Sequence, residues 1–178
     1  MEKGYIHVYT GGGKGKTTAA FGLAVRVLCA GKNVYVGQFV KSMKYNETRI
    51  EKLFANADNS FGRILIEQFG RGCFINKDPE QVDIDLAVEG LDKCAEVMAS
   101  GKYDVVILDE VTIATWFKLL TPQQVIDALN KRAPQIEVVI TGRRAPQELI
   151  DMADLVTDMQ EVKHYYQQGV LSRNGIDR

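Results

Sequence analysis

Apolar residues fall along this chain in short runs that alternate with longer stretches of helical spacing. Residues 5–9, "YIHVY", read as a strand. Residues 16–30 carry apolar positions at helical spacing and stop at Gly31. Residues 33–40 form a second strand pattern, 47–55 a short helix and 63–69 a third strand, where Ile64 and Ile66 alternate with Leu65. Residues 79–100 are a long amphipathic helix, with Pro79 suited to its first turn and Gly101 to its end. Residues 103–109 are a nearly all-apolar strand. Thr121 caps a further helix whose first turn holds Pro122. Residues 136–141 give a fifth strand, 146–152 a brief helix and 155–159 a last strand. After Gln160 the chain is polar and aperiodic, and its order is expected to come from docking on the sheet end. Strands joined through helical crossovers predict an α/β fold: a mostly parallel, six-stranded sheet with helices on both faces. No repeat or low-complexity linker interrupts the pattern, so residues 1–178 read as one domain with 160–178 as a docked tail.

Charge and cysteine content narrow the function classes. The 178 residues hold 22 Lys and Arg against 23 Asp and Glu, a net charge of −1. That balance gives no electrostatic footprint for nucleic acid or a membrane surface. No apolar run approaches the roughly 20 residues that span a bilayer. The run before the glycines is too short for a secretory signal. Cys29, Cys73 and Cys94 are odd in number and lack metal-site spacing, which fits a reducing cytoplasm. Cys29 and Cys94 lie in helical patterns and are expected in the core.

The chemistry is concentrated where the first strand meets the first helix. Here "TGGGKGKTT" runs through Thr10, Gly11, Gly12, Gly13, Lys14, Gly15, Lys16, Thr17 and Thr18. A glycine loop between strand and helix turns consecutive backbone N–H groups toward one point and lets them approach an anion closely. The helix N-terminus adds partial positive charge. Lys16 supplies a mobile ammonium and Thr17 a hydroxyl for magnesium. The stretch is a polyphosphate cradle. One position departs from the usual motif: five residues before Gly15, where glycine is customary, stands Thr10, and Lys14 is an added cation. A β-branched residue there restricts the turn, so the nucleotide is expected to lie differently from that in ordinary NTPases.

Two further strand ends point at the same place. "YDVVILDEVT" ends a buried strand in Asp109 and Glu110, where a magnesium–nucleotide sits in an open α/β sheet. The sequence leaves open which carboxylate meets the metal. Its spacing suits NTPases that place another strand between the two motif strands, as in recombinase-type ATPases. "VVITGRRAP" ends a strand in Thr141, Gly142 and two arginines; Arg143 can reach phosphate oxygens bidentately, or it and Arg144 can be solvated loop residues. His164 either touches substrate or packs in the tail. Trp116, the single tryptophan, reads as a helix-packing or interface aromatic before a ligand platform. Asn76-Lys77-Asp78 is one residue short of a guanine-reading motif and precedes the wrong strand, which favours ATP over GTP.

Taken together, "GYIHVYTGGGKGKTTAAFGLAVRVLCAGKNVYVGQFVK", "YDVVILDEVT", "VVITGRRAPQELIDMADLVTDMQEVKH" and "GVLSRNGID" resemble the P-loop ATP:corrinoid adenosyltransferases, essentially end to end. The family comprises cob(I)alamin and cob(I)yrinic acid a,c-diamide adenosyltransferases of the cobalamin pathway. The resemblance implies a recombinase-like six-stranded sheet, a homodimer, Mg²⁺ with ATP as cosubstrate, and a nucleotide reversed in the loop. Thr10 belongs to the family's pattern. The reaction implied is attack of corrinoid cobalt(I) on C5′ of ATP with loss of triphosphate, after a reductase has supplied cobalt(I). Such chemistry needs no protein nucleophile or general base, but it does need in-line placement, leaving-group stabilisation and exclusion of water. Lys16, Thr17 and Arg143 are the expected catalytic groups, and Thr17, Asp109 and Glu110 the expected magnesium set.

Two departures from the family's pattern stand out. Better-known members carry a Gly-Phe-Thr-Trp segment after strand three whose aromatics displace the lower axial ligand of the corrinoid. Here that place reads "RGCFINKD", which leaves Cys73, Phe74 and Ile75, with His164 from the tail, as candidate corrinoid contacts and lacks the tryptophan. A corrinoid without its lower base is the expected preference. Longer members also have a basic N-terminal extension over the nucleotide; here either another segment is expected to cover it or the site is more open. Two rival readings are an ATP-dependent regulatory switch, in which Glu110 would position a water, and a nucleotide kinase, for which the sequence offers no arginine-rich lid.

Overall fold

The computed structural model of the protein describes residues 2–41, 45–71 and 79–177. Six strands alternate with helices: β1 (Ile6–Thr10), α1 (Lys16–Cys29), β2 (Val34–Phe39), α2 (Ile50–Ala55), β3 (Ile64–Phe69), α3 (Gln81–Ser100), β4 (Val105–Asp109), α4 (Val111–Trp116), α5 (Pro122–Asn130), β5 (Glu137–Thr141), α6 (Gln147–Met152) and β6 (Leu155–Asp158). Single 3₁₀ turns precede α2 at Asn46–Arg49 and cross the tail at Tyr165–Gln168. The sheet is parallel throughout, in the order β3-β2-β4-β5-β1-β6. As the spacing of the motifs predicts, β5 lies between the cradle strand β1 and the acidic strand β4.

The apolar runs in the central strands arise because both sheet faces are covered. Val34, Val36, Val105, Ile107 and Val139 pack under Ala20, Phe21, Ala24 and Leu28 of α1. Their alternating neighbours Tyr35, Val106, Leu108, Val138 and Ile140 face α3 and α5, where Leu91, Cys94, Met98, Val125 and Leu129 complete the larger core. β6 is one of the two edge strands, and all four of its residues are exposed. No helix among the described residues is long and apolar enough to cross a membrane.

Three local expectations change. α3 starts at Gln81, because Glu80 and Asp83 form a reciprocal capping box that sets the first turn after Pro79. Cys29 is exposed: it is the last residue of α1, and the buried stripe ends one position earlier at Leu28. α4 has no counterpart in the sequence pattern, being six residues long with almost no polar face. The Thr121 cap forms as expected, with its hydroxyl accepting from Gln124 N and the Gln124 side chain returning to Thr121 N.

Candidate active site

The carboxyl ends of β1, β4, β5 and β2 and the N-terminus of α1 converge on one cleft. Gly15, at φ +122°, turns the loop into α1 in a conformation that side chains rarely adopt. The loop is fastened to the edge strand side by Gly13 N donating to Met159 O at 2.7 Å. Lys16 is buried, and its ammonium donates to the carbonyls of Gly11 (2.8 Å) and Gly13 (2.7 Å), folding back over the loop it serves. Burial pulls its pKa down, against the pull of Glu110. Thr10 is buried too, and its hydroxyl accepts from Ala145 N at 3.2 Å, so the residue that departs from the usual motif holds the β5–α6 connection.

Asp109 and Glu110 are neighbours in sequence with different surroundings. Asp109 is fully buried at the end of β4. Its Oδ1 accepts from Thr17 Oγ1 (2.8 Å) and Thr141 Oγ1 (2.7 Å), and its Oδ2 from Gln38 Nε2 (3.0 Å) and Lys41 Nζ (2.6 Å). Burial opposes the charge on this carboxylate, but Lys41 and the hydroxyl donors outweigh it and hold the pKa below the usual range. Glu110 turns out of the strand in the left-handed region (φ 63°) and caps α4. Its side chain has no hydrogen bond among the described residues. Burial and the Asp109 charge raise its pKa, against Lys41, Lys16 and Arg143.

Arg143 is set by the connection that α4 supports. Gly142 sits at φ +135°, and a Cβ there would lie 2.2 Å from Thr112 Oγ1. The same hydroxyl donates to Arg143 O at 2.9 Å. Arg144 lays its guanidinium 3.8 Å from the ring centroid of Trp116, a residue that is 51% exposed. The tryptophan is thus a surface stacking partner and not part of a helix-packing core.

Two adjoining cavities open over the cradle. One, about 300 Å³, is lined by Gly13 to Thr18, Glu110, Arg143, His164 and Asp177. The other, about 510 Å³, is lined by Lys14, Thr17, Thr18, Phe21, Lys41, Tyr45, Asn46, Glu47, Glu110 and the tail residues Gly175, Ile176 and Asp177. The tail therefore walls the cleft: Lys14 Nζ donates to Ile176 O (2.8 Å) and Asp177 Oδ1 (2.6 Å).

The structure brings Thr10, the three loop glycines, Lys14, Gly15, Lys16, Thr17, Thr18, Asp109, Glu110, Arg143 and His164 to this one place. His164 joins the wall of the phosphate cradle, with its Nδ1 accepting from Tyr166 N at 3.0 Å. Cys73, Phe74 and Ile75, and the sequence Asn76-Lys77-Asp78, lie outside the described residues. Sequence reasoning missed Gln38, Lys41, Thr112 and Asp177. A glutamine inside the apolar run "VYVGQF" was the available signal for the first, since register pairs Gln38 with Asp109.

The family described as ATP:corrinoid adenosyltransferase BtuR/CobO/CobP matches residues 2–177. The chain belongs to this family. Three curated relatives each match 99% of this chain. A corrinoid adenosyltransferase of Escherichia coli (strain K12) is 35% identical over 99% of this chain and 86% of its own. One of Salmonella typhimurium is 36% identical over the same shares, and one of Sinorhizobium sp is 33% identical over 99% and 81%. Among solved structures, an ATPase of a bacterial type III secretion system covers 94% of this chain and 54% of its own with a TM-score of 0.47 and 14% identity, a likeness too slight to add to the topology already described. This adenosyltransferase-family chain carries its glycine loop between β1 and α1 of a six-stranded parallel sheet.

Proposed function

We propose that the protein transfers the 5′-deoxyadenosyl group of Mg-ATP to the cobalt(I) of a corrinoid in adenosylcobalamin synthesis. The observation that carries this reading is the convergence of three cationic side chains, Lys14, Lys16 and Arg143, on one glycine cradle. Cobalt(I) forms the new bond to C5′, the C5′–oxygen bond breaks, and its electron pair leaves with triphosphate. The protein's task is then to bind and neutralise a leaving group of high negative charge. Lys16 and Lys14 exchange their present carbonyl and carboxylate partners for phosphate oxygens, and Arg143 closes from the β5 side. The loop glycines admit the chain of phosphates to the backbone N–H groups, and Thr18 extends this wall along α1.

The donor chemistry fits magnesium: Thr17, Asp109 and Glu110 offer only oxygen ligands, which suits a hard cation. Thr17 and Glu110 would hold it, with Asp109 behind them, and its contribution is charge neutralisation on the triphosphate. The tail from Arg173 to Asp177, with the turn at Tyr45 to Glu47, supplies the outer wall that keeps water from the reacting carbon. His164 and residues 73–75 are the contacts proposed for the corrinoid. A reductase that delivers cobalt(I) and a second copy of the chain are the partners this reading expects, in the cytoplasm.

The test is to incubate the protein with Mg-ATP and a chemically reduced corrinoid, and to follow the cobalt spectrum together with the phosphate product. A new cobalt–carbon band with triphosphate is the expected result. ADP and orthophosphate with an unchanged cobalt spectrum would replace the reading with that of a nucleotide-driven switch.

A further inference from the structure

The end of β2 contributes a residue that no motif assigns. Lys41 follows Val40, a β-branched residue held at φ 56° and 7% exposed, a backbone conformation that is uncommon outside glycine. That turn, fastened by Val40 N donating to Phe69 O at 3.0 Å, sends the lysine back across the strand ends. Its ammonium reaches Asp109 Oδ2 at 2.6 Å, with the Lys41 side chain 12% exposed and the Asp109 side chain 0%. The lysine lines the same cavity as Thr17 and Glu110, the two groups with oxygens left for a cation. Among the described residues no three His, Cys, Asp or Glu side chains gather in a way that could hold a metal.

We propose that Lys41 is the resident counter-ion of the magnesium seat: its ammonium takes the charge of Asp109 in the nucleotide-free protein, so that no divalent cation binds before the nucleotide arrives. Two unpaired carboxylates side by side with the Thr17 hydroxyl would be a ready cation site. With Lys41 in place the pair carries a single net negative charge, and Glu110 alone cannot hold a hard divalent ion against water. A polyphosphate supplies the missing oxygen ligands and charge, so the metal enters as its nucleotide complex. Lys41 is a positioning residue in this scheme. It acts through Asp109, which in turn orients the Thr17 hydroxyl at 2.8 Å. The inference rests on the nucleotide reading above and adds an order of binding to it.

The test uses Mn²⁺ as the probe, read by the loss of its free-ion paramagnetic resonance signal, on the whole chain without ATP or corrinoid. The natural protein should leave Mn²⁺ free in the absence of polyphosphate; with inorganic tripolyphosphate, which chelates Mn²⁺ by itself, uptake is read instead as Mn²⁺ retained with the protein on ultrafiltration. Lys41→Met should bind Mn²⁺ alone at least about ten-fold more tightly than the natural protein, because a unit positive charge next to the ligand is gone. Should Lys41→Met fail to fold, Lys41→Gln keeps a donor for the buried oxygen without the charge and carries the same expectation. Adding Asp109→Asn to either variant should abolish the new site. Nucleotide-free Mn²⁺ binding that is equal in the natural protein and the folded variant would overturn the proposal. The nucleotide reading fails separately: in that case the natural protein would retain no Mn²⁺ on ultrafiltration even with tripolyphosphate or ATP present.

Discussion

Two lysine–carboxylate pairs flank the cleft at the same separation, 2.6 Å, and differ in almost everything else. On the strand wall, Lys41 and Asp109 are 12% and 0% exposed, and the carboxylate has three further donors from Thr17, Thr141 and Gln38. On the tail wall, Lys14 and Asp177 are 41% and 13% exposed. Distance alone does not rank them. In the buried pair desolvation is costly, and only the complete set of hydrogen bonds makes the ionised state stable, so removing either member leaves an uncompensated charge. In the open pair water replaces a lost partner at little cost. The strand wall is thereby fixed before ligand arrives. The tail wall holds its lysine in a contact that a phosphate can take over.

The largest effect should come from breaking the buried pair. Asp109→Ala strands Lys41 and deprives two hydroxyls and an amide of their acceptor; the expected loss is about 3–5 kcal/mol of unfolding free energy, measured by urea denaturation. The pH dependence has a definite sign. The folded pKa of Asp109 lies below its unfolded value, so its contribution is complete above the unfolded pKa and is lost as pH falls through the folded one. The gap between the natural protein and Asp109→Asn should therefore persist at pH 4 and close only in stronger acid. A gap that closes already between pH 6 and 5 would show that the pair is not held as described.

Lys16 has no carboxylate in hydrogen-bond contact, only two carbonyls of its own loop. Its removal should spare the fold. Lys16→Ala should lose about 3 kcal/mol of transition-state stabilisation, read in kcat/KM for corrinoid adenosylation. Near-normal turnover by a folded variant would dissolve the cradle assignment.

Much of this arrangement was legible in the chain, and the exceptions have physical reasons. The strands showed because burial on both faces makes their runs continuously apolar, as in Val105 to Leu108. The cradle showed because phosphate binding needs glycines and a lysine adjacent in sequence. Lys41 and Gln38 did not show, because their chemistry depends on β2 lying beside β4, a neighbourhood set by sheet order and not by spacing. Asp177 reaches Lys14 from 163 residues away. α4 was hidden by its burial: Val111, Thr112, Ala114 and Thr115 are all covered, which erases the amphipathic period.

Glu110 tests the middle ground between the two walls. It is mostly buried, its side chain has no hydrogen-bond partner among the described residues, and its pKa is raised by burial and by Asp109. For an acid whose folded pKa lies above the unfolded one, ionisation destabilises the fold as pH rises through the unfolded value. Glu110→Gln should therefore raise the melting temperature at neutral pH, by about 2–4 °C for each kcal/mol gained, with the advantage vanishing below the ordinary glutamate pKa. The same variant should need more magnesium for activity than Asp109→Asn does, since Asp109 is saturated with donors and Glu110 is not. An unchanged magnesium requirement in Glu110→Gln would move the metal to the buried carboxylate.

The smallest change should come from the open pair. Asp177 accepts from Lys14, from the Tyr165 hydroxyl and from Arg173 N and Nε, and these donors hold its pKa well below the usual carboxylate range. Water reaches this cluster, so Asp177→Asn should leave the melting temperature unchanged within error. The affinity for inorganic tripolyphosphate should nevertheless improve a few-fold in low salt, because Lys14 no longer has to leave a carboxylate and a negative charge no longer faces the phosphates. Raising the ionic strength toward 1 M, where charges are screened within about 3 Å, should erase the improvement. Weaker tripolyphosphate binding by the variant would give the opposite answer: the tail would then be holding Lys14 in the posture that phosphate needs, and the open wall would be as preorganised as the buried one.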